Sequence, residues 1–192
     1  MIPLALSPSL PGLALAGTGD AALRRLRALR AAGGNHIRVY APAPTAALAA
    51  AAGEQLVPHL PGAADWPDIR VLWVAGLAPE AAAALATAAR AARVLVNVED
   101  LPEYCDFYAM AEIRRGDLLV ALSTGGAAPG LAAALRRQLE ACFPAAWGER
   151  VHEVTALRKI WREEGLSMAE IAARIDALVK ERCWLSCPTI SP

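Results

Sequence analysis

Three short stretches of this sequence carry residue types that can do chemistry. The first is Gly17-Thr18-Gly19-Asp20-Ala21-Ala22, which reads G-x-G-x-x-A. In such a turn the first glycine permits a sharp exit from a strand. The second lets the backbone approach a pyrophosphate, and the small third position packs a helix whose N-terminus faces the anion. The second stretch is Val94–Asp100, "VLVNVED", an apolar run that ends in acid. A carboxylate such as Asp100, at the C-terminal end of a parallel strand, stands at the crevice where open α/β sheets bind ligands. The third is Ser123-Thr124-Gly125-Gly126, hydroxyls and turn glycines after the apolar run Asp117–Leu122. Its side chains and N–H groups suit carboxylates; the plainer reading has them capping the helix that follows. The plainer readings of the other two are a tight βα bend and a turn acid before Pro102.

The elements around them decide what these stretches can hold. "LALAG" (Leu13–Gly17) predicts a strand, and "DAALRRLRALRAAGG" a helix with Leu23, Leu26 and Leu29 at helical spacing and Gly33-Gly34 as its stop. "HIRVYAP" (His36–Pro42) predicts a second strand, which completes the βαβ unit the glycine motif requires. A helix over "TAALAAAAGEQ" and a broken strand over "LVPHLPG" follow. "VLWVAGL" (Val71–Leu77) has the continuous apolar character of a central parallel strand. "PEAAAALATAARAAR" then separates it from "VLVNVED". This alternation predicts an α/β fold, a Rossmann-like doubly wound parallel sheet. Beyond it, "DLLVALSTGG" reads as a strand and turn, and "APGLAAALRRQLEACFP" as a helix bounded by Pro129 and Pro144. From Trp147 charged residues rise and two amphipathic helices are expected, the second opened by a capping box of Ser167 and Glu170. The expected division is 1–113 for the nucleotide-binding domain, 114–146 for a connecting segment and 147–192 for a small helical domain.

The second strand ends "VYAPAP" without the acid that usually grips the ribose of a bound dinucleotide. Either backbone groups near Pro42 and Ala43 meet the ribose, or the site is lost. The 19 Lys and Arg balance 19 Asp and Glu, so no nucleic-acid partner is expected. Apolar runs are too short for a spanning helix, so no membrane partner is expected, and the start lacks the basic segment of a signal peptide. A cytoplasmic protein is expected. Cys105, Cys142, Cys183 and Cys187 match no strong metal spacing, although Cys183-x3-Cys187 hints at zinc or redox chemistry. His36, His59 and His152 are scattered, and no stably bound metal is expected.

Over Val96–Glu140 the motifs combine. Asn97, Val98, Asp100, Pro102 and Cys105-Asp106-Phe107 precede Arg115-Gly116-Asp117-Leu118, then Ser123-Thr124-Gly125-Gly126 with Pro129. This order resembles the precorrin-2 dehydrogenase/sirohydrochlorin ferrochelatase family, the N-terminal module of siroheme synthase. The likeness covers about residues 2–145. It implies NAD-dependent oxidation of precorrin-2 to sirohydrochlorin, with ferrous iron as a possible substrate metal for a following insertion. It also implies a homodimer, formed through the segment after the nucleotide domain. The family's catalytic aspartate falls on Asp100. Its NAD contacts fall on Gly17, Gly19, Asp20, Ala21, Pro42 and Ala43, and its tetrapyrrole contacts on Ser123, Thr124, Gly125 and Gly126. The family's second strand lacks the ribose acid as well. Arg114, Arg115, Arg136 and Arg137 are candidates for meeting the substrate's carboxylates, or form a solvated surface. The chain departs from the family at Ala75-Gly76-Leu77-Ala78, where a polar pair is usual, and at Met110, Glu112 and Arg114. A chelatase without dehydrogenase activity, or a non-catalytic tetrapyrrole- or dinucleotide-binding dimer, is the alternative.

Overall fold

A computed structural model describes residues 2–185. The chain divides into two compact units, Met1–Ala109 and Met110–Pro192.

The first unit is built on five parallel strands, β1 (Leu13–Gly17), β2 (Arg38–Tyr40), β3 (Leu56–Val57), β4 (Val71–Ala75) and β5 (Leu95–Val98). Their order is β3-β2-β1-β4-β5. The chain winds outward from β1 to β3 and then crosses back to β4, so the order reverses between β1 and β4. Helices α1 (Gly19–Ala31) and α2 (Ala46–Ala52) cover one face; α3 (Pro79–Ala91) covers the other. Every residue of β1 and β4 is buried, as both-sided coverage demands. Leu15, Trp73, Leu23, Leu26 and Leu48 form the core under α1 and α2. Leu72, Val74, Val96 and Val98 meet the small residues Ala82, Ala86 and Ala89 of α3. The alanine richness therefore has a packing role: it lets α3 lie close to the sheet. Thr45 caps α2 by accepting from the Leu48 N–H.

The second unit holds an antiparallel pair, β6 (Ala111–Arg115) and β7 (Leu118–Leu122), with α4 (Pro129–Glu140), α5 (Trp147–Glu163) and α6 (Met168–Glu181). Gly116 (φ 57°) and Asp117 form the two-residue turn of this hairpin, with the glycine at the first position as a type II′ turn requires. The Arg-Gly-Asp-Leu motif is thus a hairpin turn. The expected boundary at 113/114 falls inside β6, and the units divide instead between Ala109 and Met110. Strand pairing sets that division, because cutting at 113 would split the ladder. The expected break at 146/147 lies within the second unit. There Arg115 Nε donates to Phe143 O at 2.6 Å, and the Phe143 and Trp147 rings lie 5.6 Å apart. The capping box at α6 is present, with Ser167 accepting from Glu170 N and the Glu170 carboxylate accepting from Ser167 N. Among the described residues, no helix is long and apolar enough to cross a membrane.

Glu140 joins β6 to α4 through Arg115 (3.4 Å) and Arg136 (2.6 Å). The Arg115 hydrogen bond and the Arg136 charge beside it hold its carboxyl below the ordinary value. A carboxyl lowered in the folded state contributes stability that is complete above the ordinary value, about 4.3. That contribution is lost as pH falls through the lowered one. In Glu140→Gln the unfolding midpoint, followed by circular dichroism, should fall less steeply below about pH 4 than in the parent chain. An unchanged acid limb would contradict this role.

Candidate active site

The two βα turns flanking the reversal point interlock through backbone alone. Gly17 pairs in register with Ala75, and a Cβ on Gly17 would collide with the Ala75 carbonyl oxygen. Thr18 N donates to that oxygen at 3.3 Å. Gly76 (φ 72°) lies against the Thr18 carbonyl, where a Cβ would also collide. The first glycine of the motif therefore brings strand ends together, a demand made by the fold itself.

The second glycine faces outward. A Cβ on Gly19 would meet nothing within 4 Å. Thr18 does not cap α1, because its Oγ1 donates to Ala43 O at 2.9 Å. That bond draws Pro42 and Ala43, both exposed, against the glycine turn. The backbone N–H groups of Gly19, Asp20 and Ala21 consequently have no acceptor among the described residues. An uncapped helix N-terminus with open space above its glycine is a cradle for an anion. The structure thus fits a dinucleotide pyrophosphate at Gly17, Gly19, Asp20 and Ala21, with Pro42 and Ala43 alongside. Asp20 itself is exposed.

A cleft of about 270 Å³ opens beside this cradle in the same unit. Ala21 and Arg24 of α1, Gly76 and Leu77 after β4, and Glu99 and Asp100 after β5 line it. The Ala75–Ala78 stretch adds no polar side chain, so contacts on the β4 side are backbone contacts. Asp100 is exposed, and its carboxylate has no partner among the described residues. Its backbone is left-handed, at φ 65°, in a turn closed by Leu101 N donating to Val98 O at 3.4 Å. Glycine suits that third turn position best; aspartate tolerates it at a cost. Glu99 is the cleft acid that the sequence reading missed. Its Oε1 lies 3.7 Å from Arg25 Nη2, and its Oε2 is buried without a hydrogen-bond partner. Period-two alternation signals it: Val96 and Val98 pack toward α3, so Asn97 and Glu99 point toward the α1 face. Near the end of β2, burial pushes the Tyr40 phenol above its ordinary value, with the Arg38 guanidinium opposing the shift.

The Cys105-Asp106-Phe107 motif has a structural reading that its residue types did not announce. It runs along the outer edge of β5. Asp106 N donates to Val96 O at 2.7 Å, and the Asp106 carboxylate accepts from Val96 N and Arg90 Nε. Phe107 meets Trp73 edge to face, with centroids 5.3 Å apart. The motif covers an exposed sheet edge.

Ser123–Gly126 lies in the second unit, between β7 and α4. Ser123 Oγ accepts from Gly125 N and Thr124 Oγ1 from Ala128 N, both at 3.2 Å, so the hydroxyls shape the entry to α4. Arg114 pairs with Glu112, while Arg115 and Arg136 pair with Glu140. The same unit carries a groove of about 660 Å³ between α5 and α6. Val151, Val154 and Ile175 contribute to its apolar floor, while Arg158, Lys159 and Arg162 line it without ion pairs among the described residues. No group of three or more His, Cys, Asp or Glu able to hold a metal gathers among the described residues. Of the Cys183 and Cys187 pair, Cys187 lies outside them.

Residues 5–111 match the sequence family described as "Putative NAD(P)-binding", and residues 115–141 the family described as "Sirohaem biosynthesis protein central". A siroheme synthase of Methylococcus capsulatus is 37% identical over 152 residues, covering 78% of this chain and 32% of that protein. A siroheme synthase of Pseudomonas putida is 40% identical over 136 residues, covering 69% and 29%. The chain belongs to the precorrin-2 dehydrogenase/sirohydrochlorin ferrochelatase family. It spans about a third of the length of the siroheme synthases it matches. The solved structure of SirC, described as a precorrin-2 dehydrogenase, shares the fold at a TM-score of 0.74 and 20% identity, covering 97% of this chain and 93% of that one. The family's NAD(P)-binding match therefore coincides with the parallel-sheet unit and its glycine cradle.

The left-handed turn at Asp100 makes a stability prediction. Asp100→Gly should raise the unfolding free energy by roughly 0.5–1 kcal/mol, and Asp100→Val should lower it by about as much. Urea denaturation measures both. A glycine variant less stable than the parent would show that the Asp100 side chain stabilises the turn.

Proposed function

We propose that this chain is an NAD-dependent dehydrogenase that oxidises precorrin-2 to sirohydrochlorin and works as a cytoplasmic homodimer. The observation that carries the reading is the cleft of the first unit, where the unpartnered carboxylate of Asp100 stands beside the uncapped N-terminus of α1. The N–H groups of Gly19, Asp20 and Ala21 hold the pyrophosphate, and backbone groups at Pro42 and Ala43 meet the ribose. Bound NAD supplies the hydride acceptor. Oxidation removes a hydride, with its electron pair, and a proton; Asp100 takes the proton and passes it to solvent. The cleft's apolar wall at Ala75–Leu77 keeps water from the reacting carbon.

Precorrin-2 is rich in carboxylates. Within the second unit, the Ser123–Gly126 turn and, separately, the groove cations Arg158, Lys159 and Arg162 are groups whose chemistry suits carboxylates. Support for a dimer comes from the second unit's small core and from its exposed Leu119, Leu131 and Leu135, the last two one helical turn apart on α4.

A second reading rests on the Ala75–Ala78 stretch, which offers the nicotinamide side no polar side chain. On that reading the chain inserts ferrous iron, as a substrate, into sirohydrochlorin without oxidising precorrin-2. Asp100 then takes the two pyrrole protons that the metal displaces one at a time, passing the first to solvent before it accepts the second. One experiment separates the two. Precorrin-2 and NAD are incubated with the protein and sirohydrochlorin absorbance is followed; a parallel reaction holds sirohydrochlorin and ferrous iron. We expect NAD-dependent oxidation, reduced at least about a hundredfold in Asp100→Asn. No oxidation above the protein-free control, by folded protein, would contradict the dehydrogenase reading. Iron insertion alone would establish the second.

A further inference from the structure

The turn that carries Asp100 is held from beneath by one sulfur atom. Chain reversal begins at Val98 and ends at Leu101. After a single 3-10 turn over Pro102–Tyr104, the chain returns with Cys105 under that reversal. Cys105 Sγ lies 3.2 Å from both the N and the O of Val98, 3.4 Å from Leu101 O and 3.4 Å from Asn97 Nδ2. The thiol therefore touches the first and last residues of the four-residue turn whose third member is Asp100. It can accept from Val98 N–H and the Asn97 amide while donating to one of the two carbonyls.

The surroundings make this thiol a structural hub. Asn97 is 5% exposed, and its amide donates a second bond to Phe107 O at 2.8 Å. The next residue, Asp106, is fastened to Val96 from both sides. Backbone groups and one amide surround the sulfur, and no metal-binding cluster lies among the described residues. A non-glycine residue at positive φ persists where neighbours over-determine its conformation. Here the neighbours with that role are Cys105 and Asn97.

We propose that Cys105 is a positioning residue: through its thiol it holds the Val98–Leu101 turn in the left-handed conformation that presents the Asp100 carboxylate to the cleft. This rests on the reading of Asp100 as the proton acceptor. It predicts a loss confined to the chemical step. Cys105→Ala leaves Val98 N–H and the Asn97 amide without that acceptor and frees the turn, but leaves the α1 cradle intact. A displacement of about 1 Å in a reacting group can cost up to about a hundredfold in rate. Cys105→Ser keeps the donor and acceptor set on a shorter side chain.

The test uses the full chain with precorrin-2 and NAD, measuring kcat, KM and NAD affinity by titration. Cys105→Ala is expected to lower kcat by at least about tenfold, with KM and the NAD dissociation constant within about twofold of the parent. Cys105→Ser should recover kcat to within about threefold. In an Asp100→Asn background Cys105→Ala should cost nothing further in rate, because there is no carboxylate left to position. Should Cys105→Ala fail to fold, Asn97→Ala removes one donor to the same sulfur and is expected to lower kcat about threefold to tenfold without raising KM. Full kcat in Cys105→Ala overturns the proposal, as do equal losses in Ala and Ser, or additive losses in the double variant. Full activity in Asp100→Asn overturns the reading of Asp100 and this proposal with it. An inactive Asp100→Asn beside a fully active Cys105→Ala overturns this proposal alone.

Discussion

Two backbone segments meet at the reversal of the sheet with no side chain between them. Gly17 lies against the Ala75 carbonyl, and Gly76 lies against the Thr18 carbonyl. Everything proposed for the first unit depends on that contact. It sets β1 beside β4 at their C-terminal ends and aims α1 so that its first N–H groups look outward. It also leaves the cleft between α1, the β4 turn and the β5 turn. A methyl group at Gly17 or Gly76 would force the strand ends apart, and the cradle and the acid would separate together. The G-x-G pattern thus joins two requirements. Gly17 serves the packing of the fold, and Gly19, where a Cβ would meet nothing within 4 Å, leaves open space above the start of α1.

Much of this was legible in the sequence where a local pattern and a tertiary demand coincide. Continuous apolar runs mark β1 and β4 because both faces are covered, and the Leu spacing of α1 matches the face it buries. The capping box at Ser167 is a local device and reads directly. β6 was missed, and the reason is physical. Ala-Glu-Ile-Arg-Arg has weak strand propensity and buries only Ile113; its pairing with β7, nucleated by the Gly116-Asp117 turn, makes it a strand. The roles of Cys105 and Asp106 were invisible for the same reason. Each acts on backbone groups of β5, and nothing in a residue type announces which carbonyl it will meet. At the candidate site, the glycine turn and Asp100 could be read from the chain. Glu99 was readable in principle from the alternation of β5, and Arg24 and Arg25 become part of the site only once α1 is laid on the sheet.

The two units contrast in how they are stabilised. The first has a large double-sided core and spends its polar groups locally, as in Arg90 with Asp106 and Tyr40 with Arg38 and Asp65. Among its described residues the second has few buried side chains, such as Ile113, Ala132, Ile171 and Trp184, and it leans on ion pairs around Glu140 and on Arg150 set over the Trp147 and Trp184 rings. A thin core of this kind leaves apolar side chains such as Leu119, Leu131 and Leu135 and cationic ones such as Arg158 and Arg162 outside. The formal charge of the whole chain is zero, so the cations along α5 are a local arrangement and no sign of general basicity.

The proposed activity requires the uncapped end of α1 to hold a dinucleotide despite the apolar Ala75–Ala78 wall. Isothermal titration of NAD into the intact chain, repeated with inorganic pyrophosphate as competitor, tests this without any turnover. The expected result is saturable binding at one site per chain, weakened by pyrophosphate as it takes the same N–H groups. No saturable heat up to the order of a millimolar NAD, from protein whose circular dichroism shows it folded, would contradict it.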